Sequence, residues 1–131
     1  MAPVKKYKYT IPKDIYRQPE EHEKHTALIL AQHFQTNVAF IKTSILKTAD
    51  IDINGRIWEI KSPTGHGKRT IQHQFERAGK QAKRFVIDCH RTSMSNSEVS
   101  QKCKYFFYKA RSAKALIIIS KQNKIILELY K

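Results

Sequence analysis

The chain has 131 residues, enough for one domain with a sizeable core. Lys and Arg number 25 against 11 Asp and Glu, a formal charge of +14, which points to a polyanionic partner, nucleic acid ahead of a membrane surface or an acidic protein substrate. No apolar run reaches the roughly 18 residues of a membrane span, the charged start lacks the apolar stretch of a signal peptide, and two cysteines, Cys89 and Cys103, exclude a disulfide-built scaffold and read as free structural thiols.

Residues 1–18 form a basic arm whose tyrosines, Tyr7, Tyr9 and Tyr16, either pack on the domain or stack on bases. Residues 19–131 read as one domain. Pro19-Glu20-Glu21 opens a helix that runs to about Gln35, with proline in the first turn and acids at the positive end of the dipole. Glu23, Ala27, Leu30 and Phe34 fall on one helical stripe, filled out by Leu28 and Ala31. Glu23 either caps this helix or reaches an acidic cluster further on, with Glu20 as its substitute. His22 and His25 are three apart but have no further ligands at zinc spacing. Val38 to Ile41 is a short strand, and 43–48 a connector or a single helical turn.

Ala49 to Lys61 reads as a hairpin on an Asn54-Gly55 turn, which suits a two-residue type I′ loop. That loop sets Ile53 opposite Arg56, Asp52 opposite Ile57, Ile51 opposite Trp58 and Asp50 opposite Glu59. Side chains alternate, so Asp50, Glu59 and Lys61 share one face while Ile51, Ile53, Trp58 and Ile60 face the core. Two carboxylates in direct opposition repel. A hard divalent cation, Mg2+ or Mn2+, offsets that repulsion, and Lys61 is the alternative neutraliser. Asp52 is a reserve ligand.

The stretch 62–70 carries two glycines and a proline and is a basic loop placed to touch phosphates through His66, Lys68 and Arg69; its spacing is not that of a P-loop. A helix capped by Thr70 runs from Ile71 to about Lys83, burying Ile71, Phe75, Ala78 and Ala82. Gln74, Arg77 and Gln81 lie on a neighbouring face that looks into a polar cleft, with Arg84 further outward. Phe85 to Cys89 is a central strand, Glu98 to Ala113 a basic helix, and Ala115 to Ser120 and Ile125 to Tyr130 close the sheet. The fold class is α/β, a mixed central sheet flanked by helices.

The early helical glutamate, Thr-Ala-Asp-Ile-x-Ile-Asn-Gly-x-x-Trp-Glu-Ile-Lys-Ser-Pro, Thr-Ile-x-x-Gln-Phe-x-x-Ala-x-Lys-Gln-Ala and a strand ending Ile-Asp resemble, over about Glu20 to Asp88, the C-terminal tRNA-nuclease domain of contact-dependent growth inhibition toxins. Asp50, Glu59 and Lys61 resemble the PD-(D/E)xK nuclease signature, with Ala49 in place of its proline. The resemblance implies a core like that of type IIS restriction endonucleases and metal-supported phosphodiester cleavage of tRNA. It further implies delivery into the cytoplasm of a neighbouring bacterium and a cognate acidic immunity protein, which binds the domain in the producer's cytoplasm. No delivery region is expected in an excised domain or in a free-standing relative.

Carried onto this chain, Asp50 and Glu59 would hold Mg2+ or Mn2+ with Glu23 assisting. Lys61 would orient the attacking water or stabilise charge on the phosphate, and Gln74 and Gln81 would position substrate. His66, Lys68, Arg69, Arg77 and Arg84 would contact nucleic acid. A DNA endonuclease of the same fold, a metal-free ribonuclease and a non-catalytic binding module are the alternatives. Cleavage of plasmid, cleavage in chelator, and binding without cleavage are their respective signatures.

Overall fold

The computed structural model describes residues 6–15, 17–41, 50–67, 69–78 and 83–131, with backbone alone at 76–78. The connector 43–48, Ala49, Tyr16, Lys68, Gln81 and the side chain of Arg77 lie outside the described residues.

In chain order the elements are β1 (Tyr9–Thr10), α1 (Glu21–Phe34), β2 (Val38–Phe40), β3 (Asp50–Ile53), β4 (Arg56–Lys61), α2 (Thr70–Ala78), β5 (Arg84–Asp88), α3 (Asn96–Lys109), β6 (Ala115–Ile119) and β7 (Ile125–Tyr130). Among the described residues they make a seven-stranded sheet whose spatial order is the chain order. β1 runs parallel to β2, and β2, β3 and β4 are mutually antiparallel. β4, β5 and β6 are parallel, and β7 returns antiparallel to β6. The parallel neighbours are the ones that require a crossover, and a helix occupies each of those connections.

The sheet buries both faces, which is why Phe85-Val86-Ile87 of β5 and the whole of β6 read as continuous apolar runs rather than alternating ones. One face packs Ile51, Ile53, Trp58, Ile60, Val86 and Ile117 under Ala27, Leu30 and Ala31 of α1. The other packs Phe85, Ile87, Leu116 and Ile118 under Ile71 and Phe75 of α2 and Val99, Cys103 and Phe107 of α3. Both cysteines are free and buried on this second face. β7 alternates half-buried and exposed residues, as an edge strand does.

The basic arm is more than an arm. Tyr9 and Thr10 pair with Val38 and Ala39, and the Tyr9 ring meets Phe40 edge-on at 5.7 Å, so packing is the use the structure makes of Tyr9. Helix α1 starts within a residue of its expected position and ends at a left-handed Gln35. Helix α3 begins two residues earlier than the expected Glu98, because Ser95 accepts a hydrogen bond from the Glu98 N–H and caps it. It also ends earlier, at Lys109, where Ala110 turns to extended backbone.

Candidate functional site

The Asn54-Gly55 turn sets the geometry. Asn54 has φ 53° and Gly55 φ 82°, the pair of positive angles a type I′ turn needs. The register that follows is the expected one at all four positions: Asp50 with Glu59, Ile51 with Trp58, Asp52 with Ile57 and Ile53 with Arg56. Asp52 accepts a hydrogen bond from the Gly55 N–H at 2.8 Å, so this reserve ligand is engaged in the turn.

Glu59 and Lys61 stand beside Phe85 and Ile87 of β5, which places them on the sheet face covered by α2 and α3. Both are buried, with Lys61 Nζ 2.9 Å from Glu59 Oε1. Asp50 is half-buried across the ladder. Burial pushes its carboxyl from 3.8 up to about 6; the Glu59 charge adds to the rise and Lys61 opposes it. A carboxylate held against its own ionisation, beside a second carboxylate and a lysine, is a place where a cation or a proton is favoured. Gln74 is half-buried on α2, between the buried Ile71 and Phe75 and over the same face.

The structure does not gather Glu23 with these acids. Helix α1 covers the opposite face, and Glu23 there is buried, held by Arg17 Nη2 at 3.3 and 3.2 Å and by the Glu20 N–H at 2.8 Å. It completes the capping box of α1. Among the described residues, no group of three or more His, Cys, Asp or Glu side chains is arranged to hold a metal ion. Asp50 and Glu59 remain a two-carboxylate pair. Two hard oxygen ligands suit Mg2+ or Mn2+, since Mg2+ is commonly held by one or two carboxylates with water and substrate phosphate completing its shell.

Of the expected nucleic-acid contacts, His66 is exposed but engaged, with Nδ1 2.8 Å from Ser93 Oγ and Nε2 3.5 Å from Glu98. The Thr92 hydroxyl donates to the Gly65 carbonyl at 2.7 Å, so the loop after β4 is tied to the loop before α3. Arg69 is exposed on that loop. Arg84 opens β5 directly before Phe85, the neighbour of Glu59, but alternation turns it to the α1 face, away from the side of the acids.

Two features escaped the sequence reading. The first is a cleft of about 380 Å³ on the α1 side of the end of β4, lined by Arg17, Glu20, His22, Glu23, Ile60, Ser62 and Arg91. The second is a polar network at the ends of β5 and β6. Asp88, fully buried, accepts from the Thr26 hydroxyl and the His90 N–H, both at 2.9 Å, and its carboxylate also meets His90 Nδ1. His90 Nε2 and His25 Nε2 both meet Asn123 Oδ1. A buried acid ending an apolar strand was the only sequence signal for it. Asp50, Lys61, Ser62, Asp88 and Asn123 all lie at one end of the sheet, where β4, β5 and β6 finish and β3 starts. Ligands favour that carboxyl end in open α/β sheets.

Comparison with known proteins agrees with this architecture. Among solved structures the chain is similar to the CdiA-CT/CdiI toxin and immunity complex from Burkholderia pseudomallei, with a TM-score of 0.67 at 17% identity, over 93% of this chain and 99% of that one. At that identity the likeness is one of fold. Comparison with curated proteins gives no match. Residues 47–125, more than half of the sequence, match the family described as the contact-dependent growth inhibition CdiA C-terminal domain, and they include the hairpin, α2, β5, α3 and β6. The chain therefore belongs to the contact-dependent growth inhibition CdiA C-terminal domain family.

Proposed function

We propose that this domain is a toxin that cleaves phosphodiester bonds in tRNA with the help of a divalent metal, on a PD-(D/E)xK-like site formed by Asp50, Glu59 and Lys61. The observation that carries the reading is the convergence of these three side chains at the sheet end, with the Asp50 carboxyl raised to about 6 by burial and by Glu59. Perturbed acids next to a specific charge partner concentrate at functional sites.

Asp50 and Glu59 are the residues to hold Mg2+ or Mn2+, which when bound supplies Lewis acidity toward a phosphate oxygen. Lys61 holds a positive charge where negative charge grows on the phosphate, in a buried setting where that charge counts for more than in water. Gln74 orients the substrate strand from α2. Glu23, held by Arg17, assists from the α1 side. His66, Lys68, Arg69, Arg77 and Gln81 supply phosphate contacts, and the +14 charge draws the polyanion in. DNA is the second substrate of this reading.

The related solved structure is a complex of a toxin with its immunity protein. A cognate acidic immunity protein for this chain follows the same logic, neutralising the basic surface in the producer's cytoplasm. The toxin would act in the cytoplasm of the target bacterium.

The test is incubation with total tRNA and, separately, plasmid DNA, each with Mg2+ and with chelator, alongside Asp50→Ala. Discrete tRNA fragments that require both metal and Asp50 are expected. Binding without cleavage of either substrate would overturn the nuclease assignment. Cleavage that persists in chelator would move the chemistry to the imidazoles, of which His22, His25 and His90 gather at the same sheet end.

A further inference from the structure

Ser62 follows Lys61 directly, and alternation sends the two side chains to opposite faces of the end of β4. Lys61 joins the acids. Ser62 lines the cleft on the α1 side, and its buried hydroxyl has no hydrogen-bond partner among the described residues. Buried polar groups are nearly always satisfied, so an orphan hydroxyl just behind the lining of an open cleft is a donor and acceptor left for a ligand that enters the cleft.

The rest of the lining says what enters. Arg17 and Arg91 bring two permanent cations. Arg17 spends Nη2 on Glu23, and Arg91 places Nη1 2.9 Å from His22 Nε2. Each guanidinium carries five donors. The two glutamates do not make the cleft anionic in the same measure. Glu23 is buried and already held by Arg17 and a backbone N–H. Glu20 is on the solvent side, 3.3 Å from His22 Nδ1 and 3.8 Å from Arg91. A ligand with several acceptor oxygens matches a hydroxyl and two guanidinium forks; a cation or an apolar group does not.

We propose that this cleft is a phosphate subsite for the nucleic-acid strand, holding a phosphodiester next to the one presented to Asp50, Glu59 and Lys61, with Ser62 and Arg91 as its principal contacts. The inference rests on the nuclease reading and deepens it. The strand crosses the end of β4, so that the side chain at the scissile group and the side chain at its neighbour come from consecutive residues. Ser62 and Arg91 are then positioning residues for the strand, and the unpartnered hydroxyl is a stability defect retained for binding.

The test measures affinity and stability together. Binding of the intact protein to fluorescently labelled tRNA is followed by anisotropy in chelator, so that cleavage does not intervene, and melting is followed without RNA. Ser62→Ala is expected to weaken binding about three- to tenfold while leaving the melting temperature unchanged or raised, because a buried unpaired hydroxyl is replaced by an apolar group. Arg91→Ala is expected to weaken binding about tenfold. Glu20→Gln is expected to tighten it about twofold, since it removes a competing charge from the rim. Unchanged affinity in Ser62→Ala and Arg91→Ala would overturn the subsite, and if tRNA is still cleaved the nuclease reading stands without it. A lower melting temperature with unchanged affinity in Ser62→Ala would give the hydroxyl a purely structural role. Weaker binding in Glu20→Gln would contradict an anionic ligand. Absence of any RNA binding by the unaltered protein would overturn both readings.

Discussion

Asp50 shows how much a single side chain costs the fold. Folded, it keeps its proton up to about pH 6; unfolded, it releases it near 3.8. The folded state therefore binds more protons between those values, and stability falls as pH rises across that window, with the full penalty present above about 6. A carboxyl lifted from 3.8 to about 6 corresponds to about 3 kcal/mol, which solvent screening of a half-buried group reduces to about 1–2 kcal/mol. Asp50→Asn is expected to stabilise the protein by that amount at pH 8 and by nothing at pH 3.5, as read by urea melts at the two pH values, while removing activity. A loss of stability at pH 8 would mean that Asp50 has a partner that stabilises its charge. The same residue was legible in the sequence, because a two-residue turn and a period of two fix every side chain of a hairpin once the turn is recognised. Glu23 was legible as either a cap of its helix or a side chain reaching the acids, and it is the cap. Nothing local said which face of the sheet its helix covered.

Among the elements, the Asp88 network ties α1, the end of β5 and the turn between β6 and β7 into one unit. Thr26 reaches across 62 residues of sequence to Asp88, and His90 across 33 to Asn123. Such pairings are set by the order of strands and have no sequence period of their own, so no reading of spacing finds them. Thr26→Val keeps the shape and removes a donor from a fully buried carboxylate. It is expected to destabilise by about 1–3 kcal/mol in a denaturant titration, with the tRNA affinity of the folded protein unchanged. A neutral effect would show that the His90 side and the backbone N–H suffice for Asp88. Helix ends were legible to within a few residues where a capping residue announced them, as Ser95 does for α3, and less so where the chain merely turns extended at Ala110.

At the scale of the whole molecule, charge was the most legible property and the least specific. The excess of 14 positive charges predicts association with any polyanion, and a strong dependence on salt. With about five phosphates neutralised on a single strand, affinity for RNA is expected to fall about 100-fold between 50 and 200 mM salt, measured as the slope of log affinity against log salt. A flat slope would assign recognition to groups other than Lys and Arg. The sheet type was legible from apolar runs separated by helices, whereas the cleft on the α1 side of the end of β4 was not, because residues 17, 62 and 91 meet there only in three dimensions.

Because neighbours in the sheet are also neighbours in the chain, the molecule has a defined load path. Tyr9 opens β1 at one edge and Tyr130 closes β7 at the other, and strand directions place both at the sheet end away from Lys61. Tension applied there does not shear the sheet along its strands. It peels the outermost strand first, hydrogen bond by hydrogen bond, and then the next, so the domain yields stepwise to modest pulling from either side. Released, the strands re-form between chain neighbours, the antiparallel pairs over short connections and the parallel pairs each over one helix.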